Sequence, residues 1–248
     1  MSKVMLITGS SRGIGAATAR LAAAEGYALC LNFNRRQDIA QQLLEELRDA
    51  GAHVIAVRAD IADEAQVARL FATIDEAFGR LDVLVNNAGI LERQMRLDEM
   101  DAARLMRVFA VNVTGSFLCA REAVKRMSTR YGGNGGAIVN VSSIAAKLGA
   151  PNEYIDYAAA KGAIDSMTLG LAKEVAAEGI RVNAVRPGVI RTEIHASGGE
   201  PGRVERVKAS VPMGRGGEAE EVAEAILWLA SEKASYTNGA LLDVSGGR

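Results

Sequence analysis

The sequence predicts an α/β fold, one parallel sheet covered by helices on both faces, and three observations predict it. Short apolar runs alternate with longer amphipathic ones: KVMLIT, GIGAATARLAAAEG, ALCLNF, DIAQQLLEELRDAG, HVIAVRAD, EAQVARLFATIDEAFG, LDVLVNN. That rhythm is strand, helix, strand, repeated. Glycines stand where the helices should stop, at Gly26, Gly51, Gly79 and Gly179, because glycine takes the left-handed conformation just past a helix. Finally, 248 residues, 49% hydrophobic and 24% charged, suffice for one sizeable core. We read residues 1–248 as a single domain.

The second half continues the pattern with helices around 102–128, a turn at YGGNGG (131–136), and a strand at GAIVNVSS. A long helix around 157–178, a strand at IRVNAVRPG, a helix around 218–231 and a last strand ALLDVS follow. The total is about seven strands. Pro187, Pro201 and Pro212 bracket a glycine-rich stretch, 187–217, with no neat period. So long an irregular stretch in a compact domain is expected to be a functional or mobile loop.

Composition narrows the function. Thirty acids against 29 bases leave a net charge of -1, so the whole molecule offers no attraction for nucleic acid. Cys30 and Cys119 are far apart and form no C-x-x-C, and His53 and His195 are isolated; no metal site is expected. The run Val4–Ile7 is too short for a signal-peptide core, and no run approaches a membrane span. The cytoplasm is the default compartment, with both cysteines as small core residues.

Two stretches carry chemistry. GSSRGIG places Gly9, Gly13 and Gly15, with Ser11, Arg12 and Ile14, between the first strand and the first helix. Glycine there lets backbone approach a diphosphate aimed at a helix amino terminus, which suits a dinucleotide. A dinucleotide site that prefers a free ribose hydroxyl shows an acid about 20 residues on. Here Asn34 and Arg35 follow the second strand, and Asp38 is assigned to capping the next helix. Arg12 and Arg35 can fork onto a 2′-phosphate, so NADP(H) is expected, with NAD(H) second. The other stretch, PNEYIDYAAAKG, holds Tyr154 and Tyr157; only Tyr157 has a lysine, Lys161, four residues on and hence on its own helical face. A nearby cation lowers a phenol's pKa and makes it a usable general acid/base.

Taken together, TGSSRGIG at 8–15, NNAG at 86–89, VN at 111–112, NVSS at 140–143, YAAAK at 157–161 and RPG at 186–188 resemble the short-chain dehydrogenase/reductase family, single-domain type, over nearly the whole chain. The likeness includes 3-oxoacyl-carrier-protein reductases and glucose 1-dehydrogenase-like oxidoreductases. It implies a Rossmann-type, doubly wound, seven-stranded parallel sheet ordered 3-2-1-4-5-6-7 and a catalytic set of Asn112, Ser143, Tyr157 and Lys161. Tyr157 would exchange a proton with the substrate oxygen, and Ser143 would hydrogen-bond that oxygen. Lys161 would lower the phenol's pKa and hold the nicotinamide ribose, and Asn112 would support a water chain behind the lysine. Asp60 and Ile61 would meet the adenine; Asn86, Ala88 and Gly89 would line the wall near the ribose. Pro187, Gly188, Ile190 and Thr192 would sit by the nicotinamide. Between Ser142 and Ser143, strand alternation lets at most one face the site if the strand runs that far, and family position favours Ser143.

Compared with the family, the segment from Ser143 to Tyr157 is about one residue longer, near PNEYID, which makes Glu153 and Tyr154 candidate wall residues. The substrate-covering loop is placed at about 190–215, with His195 a loop residue rather than a catalyst. The expected activity is NADP(H)-dependent hydride transfer between nicotinamide and a small-molecule carbonyl or secondary alcohol. Alternatives are a 3-oxoacyl-carrier-protein reductase specifically, for which Arg126 and Arg130 offer a basic patch against Glu174 and Glu178, and a non-catalytic NADP-binding regulator. A homotetramer paired through the helices around 102–128 and 157–178 is the expected assembly; no nucleic-acid or membrane partner is expected.

Overall fold

The computed structural model describes residues 2–248. Strands and helices alternate as β1 (Val4–Ile7), α1 (Gly13–Ala24), β2 (Ala28–Phe33), α2 (Gln37–Asp49), β3 (Val54–Arg58), α3 (Glu64–Phe78) and β4 (Val83–Asn86). Then come α4 (Ala102–Phe109), α5 (Gly115–Met127), β5 (Gly136–Val141), α6 (Ala145–Leu148), α7 (Ile155–Glu174) and β6 (Ile180–Pro187). The chain closes with α8 (Ile194–Ser197), α9 (Arg203–Val207), α10 (Ala219–Ala230) and β7 (Leu241–Val244). The seven strands form one sheet in the order β3-β2-β1-β4-β5-β6-β7, every neighbouring pair parallel.

Side chains alternate across each strand, so successive residues of β1 enter different cores. Met5 and Ile7 pack with α1, α2 and α10 on one face. Val4 and Leu6 pack with α3, α5 and α7 on the other. This double coverage buries β1, β2 and β4 throughout, as a parallel sheet requires. Cys30 and Cys119 belong to the second core, where burial pushes both thiols up to about 12 and leaves them inert.

The structure differs from the sequence reading in several places, each with a local cause. The helix carrying Tyr157 starts earlier, at Ile155, and ends at Glu174; a separate 3-10 turn, Ala176–Glu178, precedes Gly179. Strand β5 stops at Val141, before both serines. Asp38 does not cap α2: Arg36 holds the cap position and its guanidinium takes the Asp38 carboxylate at 3.0 Å. The stretch 187–217 is not a plain loop, since α8, α9 and a 3-10 turn at Lys208–Ser210 fold within it. Helices that short show no periodicity, and their stability comes from tertiary contacts.

Candidate active site

The carboxyl ends of β1, β4, β5 and β6 gather the predicted residues. At the β1–α1 turn, Gly9 and Gly13 have φ of 62° and 55°, the left-handed region that any side chain would strain. A Cβ on Gly15 would lie 2.6 Å from both Asn87 Nδ2 and Gly9 O, so only glycine lets the turn close. Helix α1 begins with no side-chain cap and no acid in its first turn. Its leading amides therefore face outward as unfilled donors.

Residues that the sequence reading did not single out hold this turn. Thr8 Oγ1 accepts from the amides of Asn87 and Ala88, both at 3.0 Å. Asn87 Nδ2 donates to Thr8 O and Gly9 O, and buried Asn32 accepts from Gly9 N at 3.4 Å while donating to Ala59 O. Asn86, by contrast, points into the interior: its Nδ2 donates to Asn140 Oδ1 and Ser116 O. Only its main chain is left to line the predicted wall, which Ala88 and Gly89 form with it. Strand β4 ends at Asn86 and the chain turns at Asn87, whose N donates to Val85 O at 3.0 Å, so the two adjacent asparagines face different ways; sequence alone does not say which is which.

Beyond β2, Asn34 and Arg35 are exposed, and Asp38 is occupied by Arg36. Arg12 Nη2 donates to Ser197 Oγ at 3.2 Å, which ties the glycine-rich turn to α8. Asp60 accepts from Ala62 N at 3.0 Å, and Ile61 is buried against Gly115. Pro187 O accepts from Ile144 N, Gly188 N donates to Val244 O, and a Cβ on Gly13 would touch the Thr192 methyl at 3.2 Å. The segment 187–192 thus lies across the turn.

The four catalytic candidates converge behind this wall. Asn112 sits in a π turn, Ala110–Thr114, between α4 and α5. Such turns recur at functional sites. Its side-chain Oδ1 accepts from Ile90 N at 2.8 Å and its Nδ2 donates to Ile90 O at 3.0 Å. The point where a Gly89 Cβ would stand is 2.8 Å from Asn112 Oδ1 and 3.7 Å from Lys161 Nζ, so the three residues meet there. Lys161 Nζ donates to Val141 O at 2.7 Å and lies 5.5 Å from the centre of the Tyr157 ring. Ser142 is buried and donates to Lys161 O; Ser143 is the serine at the Tyr157 phenol. The choice between the two follows from β5 ending at Val141, which leaves the serines to the turn beyond it.

Charge at this site departs from one expectation. Lys161 does not bring the phenol down in the free protein. Burial pushes Tyr157 up to about 12, against the lowering effects of Ser143 and then Arg203, and burial also pulls Lys161 down to about 8 despite Asp165. Desolvation outweighs the lysine's field because the ammonium is itself buried and spends its best contact on a carbonyl. Positioning comes from an ion pair absent from the sequence reading. Arg104 of α4, buried, donates to Asp156 at 2.7 Å, and Asp156 Oδ1 accepts from Tyr157 N at 2.9 Å. Nothing local in the sequence links residues 104 and 156.

The stretch 190–215, expected from the sequence to cover the substrate, is held by ion pairs to the segment before α7. Arg203 Nη2 donates to Glu153 at 2.5 Å and Nη1 to Glu200 at 3.2 Å; Arg206 pairs with Glu153 at 2.8 Å and with Glu200. Glu153 belongs to the segment before α7, whose backbone bends through left-handed conformations at Gly149, Ala150 and Asn152. His195 is buried within α8, Nε2 lying 2.9 Å from Ile190 O.

A family model described as enoyl-(acyl carrier protein) reductase matches residues 9–248. The chain is 57% identical over 245 residues to the uncharacterized oxidoreductase YgfF of Escherichia coli K12, covering 99% of both. The chain belongs to the short-chain dehydrogenase/reductase family. It is an oxidoreductase of that family, of the nicotinamide-dependent kind that acts on small molecules. Another relative, cis-4-hydroxycyclohexanecarboxylate dehydrogenase of Sinomonas cyclohexanicum, is 44% identical over 249 residues, 99% of this chain and 96% of that one. A crystallised short-chain dehydrogenase from Burkholderia cenocepacia J2315, in complex with NADP, superposes with a TM-score of 0.90 at 31% identity, covering 99% of this chain and 97% of that one. No helix among the described residues is long and apolar enough to cross a membrane.

Proposed function

We propose that the protein is an NADP(H)-dependent oxidoreductase that interconverts a carbonyl and a secondary alcohol, with Tyr157 as general acid and base. The convergence of Ser143, Tyr157, Lys161 and Asn112 beside an uncapped α1 terminus carries this reading. The residues fit a dinucleotide: the outward amides of Gly13, Ile14 and Gly15 suit a diphosphate, and the cradle admits no Cβ at Gly15. Ser11, Asp60, Ile61, the main chain at Asn86, Ala88 and Gly89, and the Pro187–Thr192 segment would hold the remainder. When bound, the nicotinamide cofactor supplies or accepts the hydride.

The protein's own residues handle the proton. At neutral pH the Tyr157 phenol, held near 12, is a donor in place, ready to protonate the carbonyl oxygen during reduction. The Ser143 hydroxyl hydrogen-bonds the same oxygen and steadies the charge that builds on it. Lys161, still mostly protonated at neutral pH, supports the phenolate left behind. Asn112 holds Ile90 and so sets the wall opposite the lysine. The intact set argues against a regulator that has lost catalysis.

Several features support the finer choices. No free acid stands after β2, and exposed Arg35 is available for a 2′-phosphate, which favours NADP(H) over NAD(H). Arg126 is paired with Asp75 and Glu122, which leaves Arg130 as the exposed cation of the basic patch that an acidic carrier protein would want; a free small substrate is favoured. Met106, Phe109, Phe117 and Leu169 are exposed apolar residues along α4, α5 and α7, a face suited to a second copy in a homotetramer. A monomeric mass in solution would remove that assembly.

The test is binding of NADPH and NADH by fluorescence, with wild type and Arg35→Asp in parallel and Tyr157→Phe assayed for carbonyl reduction. Arg35→Asp should weaken NADPH by roughly tenfold or more and leave NADH nearly unchanged. Tyr157→Phe should bind NADPH normally and lose about 10²–10⁴-fold in kcat. Preference for NADH in the wild type would overturn the cofactor assignment.

A further inference from the structure

Helix α7 lays three side chains, at 161, 165 and 168, over the ends of β5 and β6, and each makes a polar contact there. Lys161 Nζ donates to Val141 O at 2.7 Å, Asp165 Oδ2 accepts from Arg186, and Thr168 Oγ1 accepts from Asn140 Nδ2 at 2.9 Å. Helix residues three and four apart are surface neighbours, their Cβ atoms about 5–6 Å from one another. The strands repeat that closeness, because Val141 pairs with Val185, the residue before Arg186. Lys161 and Asp165 therefore lie side by side, both buried.

Arg186 grips Asp165 by one oxygen. Its Nε and Nη2 donate to Oδ2 at 3.0 and 2.7 Å, while Oδ1 is buried with no hydrogen-bond partner. Another buried arginine pair, Arg104 with Asp156, uses both carboxylate oxygens. The two-oxygen fork is the stronger grip, so cohesion alone does not account for a buried oxygen left bare. A cation beside it does. Lys161, whose ammonium makes no ion pair among the described residues, is that cation.

The remaining charges around Lys161 are matched elsewhere. On α7, Tyr157 is neutral because burial pushes its phenol up, and Asp156 is taken by Arg104 of α4. Beyond Arg186 on β6, Asp243 of β7 pairs with Arg186 at 3.6 Å and with Lys147 of α6 at 2.5 Å. Arg203 of α9 acts on the Tyr157 phenol and is itself paired with Glu153 and Glu200. Asn112 of the π turn and Gly89 after β4, which meet the lysine, carry no charge. Burial drives the lysine toward its neutral form, and Asp165 opposes that.

We propose that Asp165 is a positioning residue for the reaction: held by Arg186 through one oxygen, it serves Lys161 as a buried counter-charge and keeps the ammonium beside Tyr157 in its charged form. Its role in turnover rests on the reading of Tyr157 and Lys161 given above. Arg186 sets the strength of the effect, since its own charge partly offsets that of Asp165.

The experiment follows melting temperature of the cofactor-free protein from pH 6 to 10, beside the pH profile of NADPH-dependent cyclohexanone reduction. Wild-type stability should rise from about pH 8, where the folded lysine begins to lose its proton. In Asp165→Asn, which keeps an oxygen for Arg186, the rise should begin about one pH unit or more lower. Asp165→Leu/Arg186→Leu, which leaves no buried charge unpaired, should begin between the two; Asp165→Glu should begin with wild type. The alkaline limb of reduction should move in the same order, in kcat rather than KM, with Asp165→Asn losing several-fold against wild type at pH 8. A purely structural pair would lower the melting temperature at every pH and leave the onset where it was. An onset unmoved in both Asp165→Asn and the double variant would overturn the proposal. The melting curves need no substrate, so they decide the counter-charge by themselves, and failure to reduce any ketone would count against the carbonyl–alcohol reading alone.

Discussion

The glycine-rich turn at 9–15 and the stretch at 190–215, the proposed lid, meet with Thr192 against Gly13, yet they are held in different ways. The turn is built from backbone: left-handed glycines, main-chain amides, and asparagine and threonine side chains that bond main-chain atoms. The lid is built from side chains: Arg203 and Arg206 clasp Glu153 and Glu200 across the segment before α7. Backbone contacts leave no freedom to adjust and suit a ligand part common to all turnovers. Ion pairs at partly exposed positions break at little cost, which would suit a stretch that opens over a substrate.

The comparison is sharpest at Lys161, which stands between the two. Lys161→Met should lower kcat by about 10²-fold or more and also change the pH dependence of folding. The wild-type lysine sits near 8 when folded, against an ordinary 10.5, so the unfolded chain binds more protons between those values. Wild-type stability should therefore rise with pH from about 8 toward 10, by up to about 3 kcal/mol over the full window. Below about 8 the burial penalty is fully present. Above about 10, Tyr157 works the other way, because its phenol is raised to about 12. Melting curves of the cofactor-free protein from pH 7 to 10 should show the rise in wild type and lose it in Lys161→Met; parallel curves would count against a buried, mostly charged lysine.

Next in size is the backbone side. Gly15→Ala places a methyl 2.6 Å from Gly9 O and should destabilise by about 1–3 kcal/mol, with NADPH binding weakened together with stability. An alanine that binds NADPH as tightly as wild type would show that the turn has slack. On the lid side, Glu153→Gln should leave the melting temperature nearly unchanged, within about 1 kcal/mol, while making cleavage between 191 and 206 several-fold faster in limited proteolysis. Added NADPH should slow that cleavage in both forms. Equal rates in wild type and variant would mean the clasp does not hold the lid.

The smallest effect lies in the segment before α7 itself. Ala150 has φ of 44°, which strains an L-residue by about 1–2 kcal/mol, whereas glycine there loses about 0.5–1 kcal/mol of chain entropy on folding. Ala150→Gly should be more stable by about 0.5 kcal/mol, a shift that chemical denaturation can resolve. A loss of stability would show that the Ala150 methyl is held by packing.

The sequence by itself determined the sheet, its helices and the residues proposed for the chemistry, because each is written in local pattern: apolar runs, glycines at helix ends and in the β1–α1 turn, and a tyrosine and lysine one helical turn apart. It separated Tyr157 from Tyr154 correctly as the tyrosine beside Lys161. Only the tertiary structure decided which of Asn86 and Asn87 braces the turn and that Asn112 holds Ile90. It alone joined Arg104 to Asp156 and Glu153 to Arg203. It also reversed the expected direction of the Tyr157 shift. The physical reason is common to all of these: burial and pairing between distant segments depend on which side chains share a space, and no local spacing encodes that.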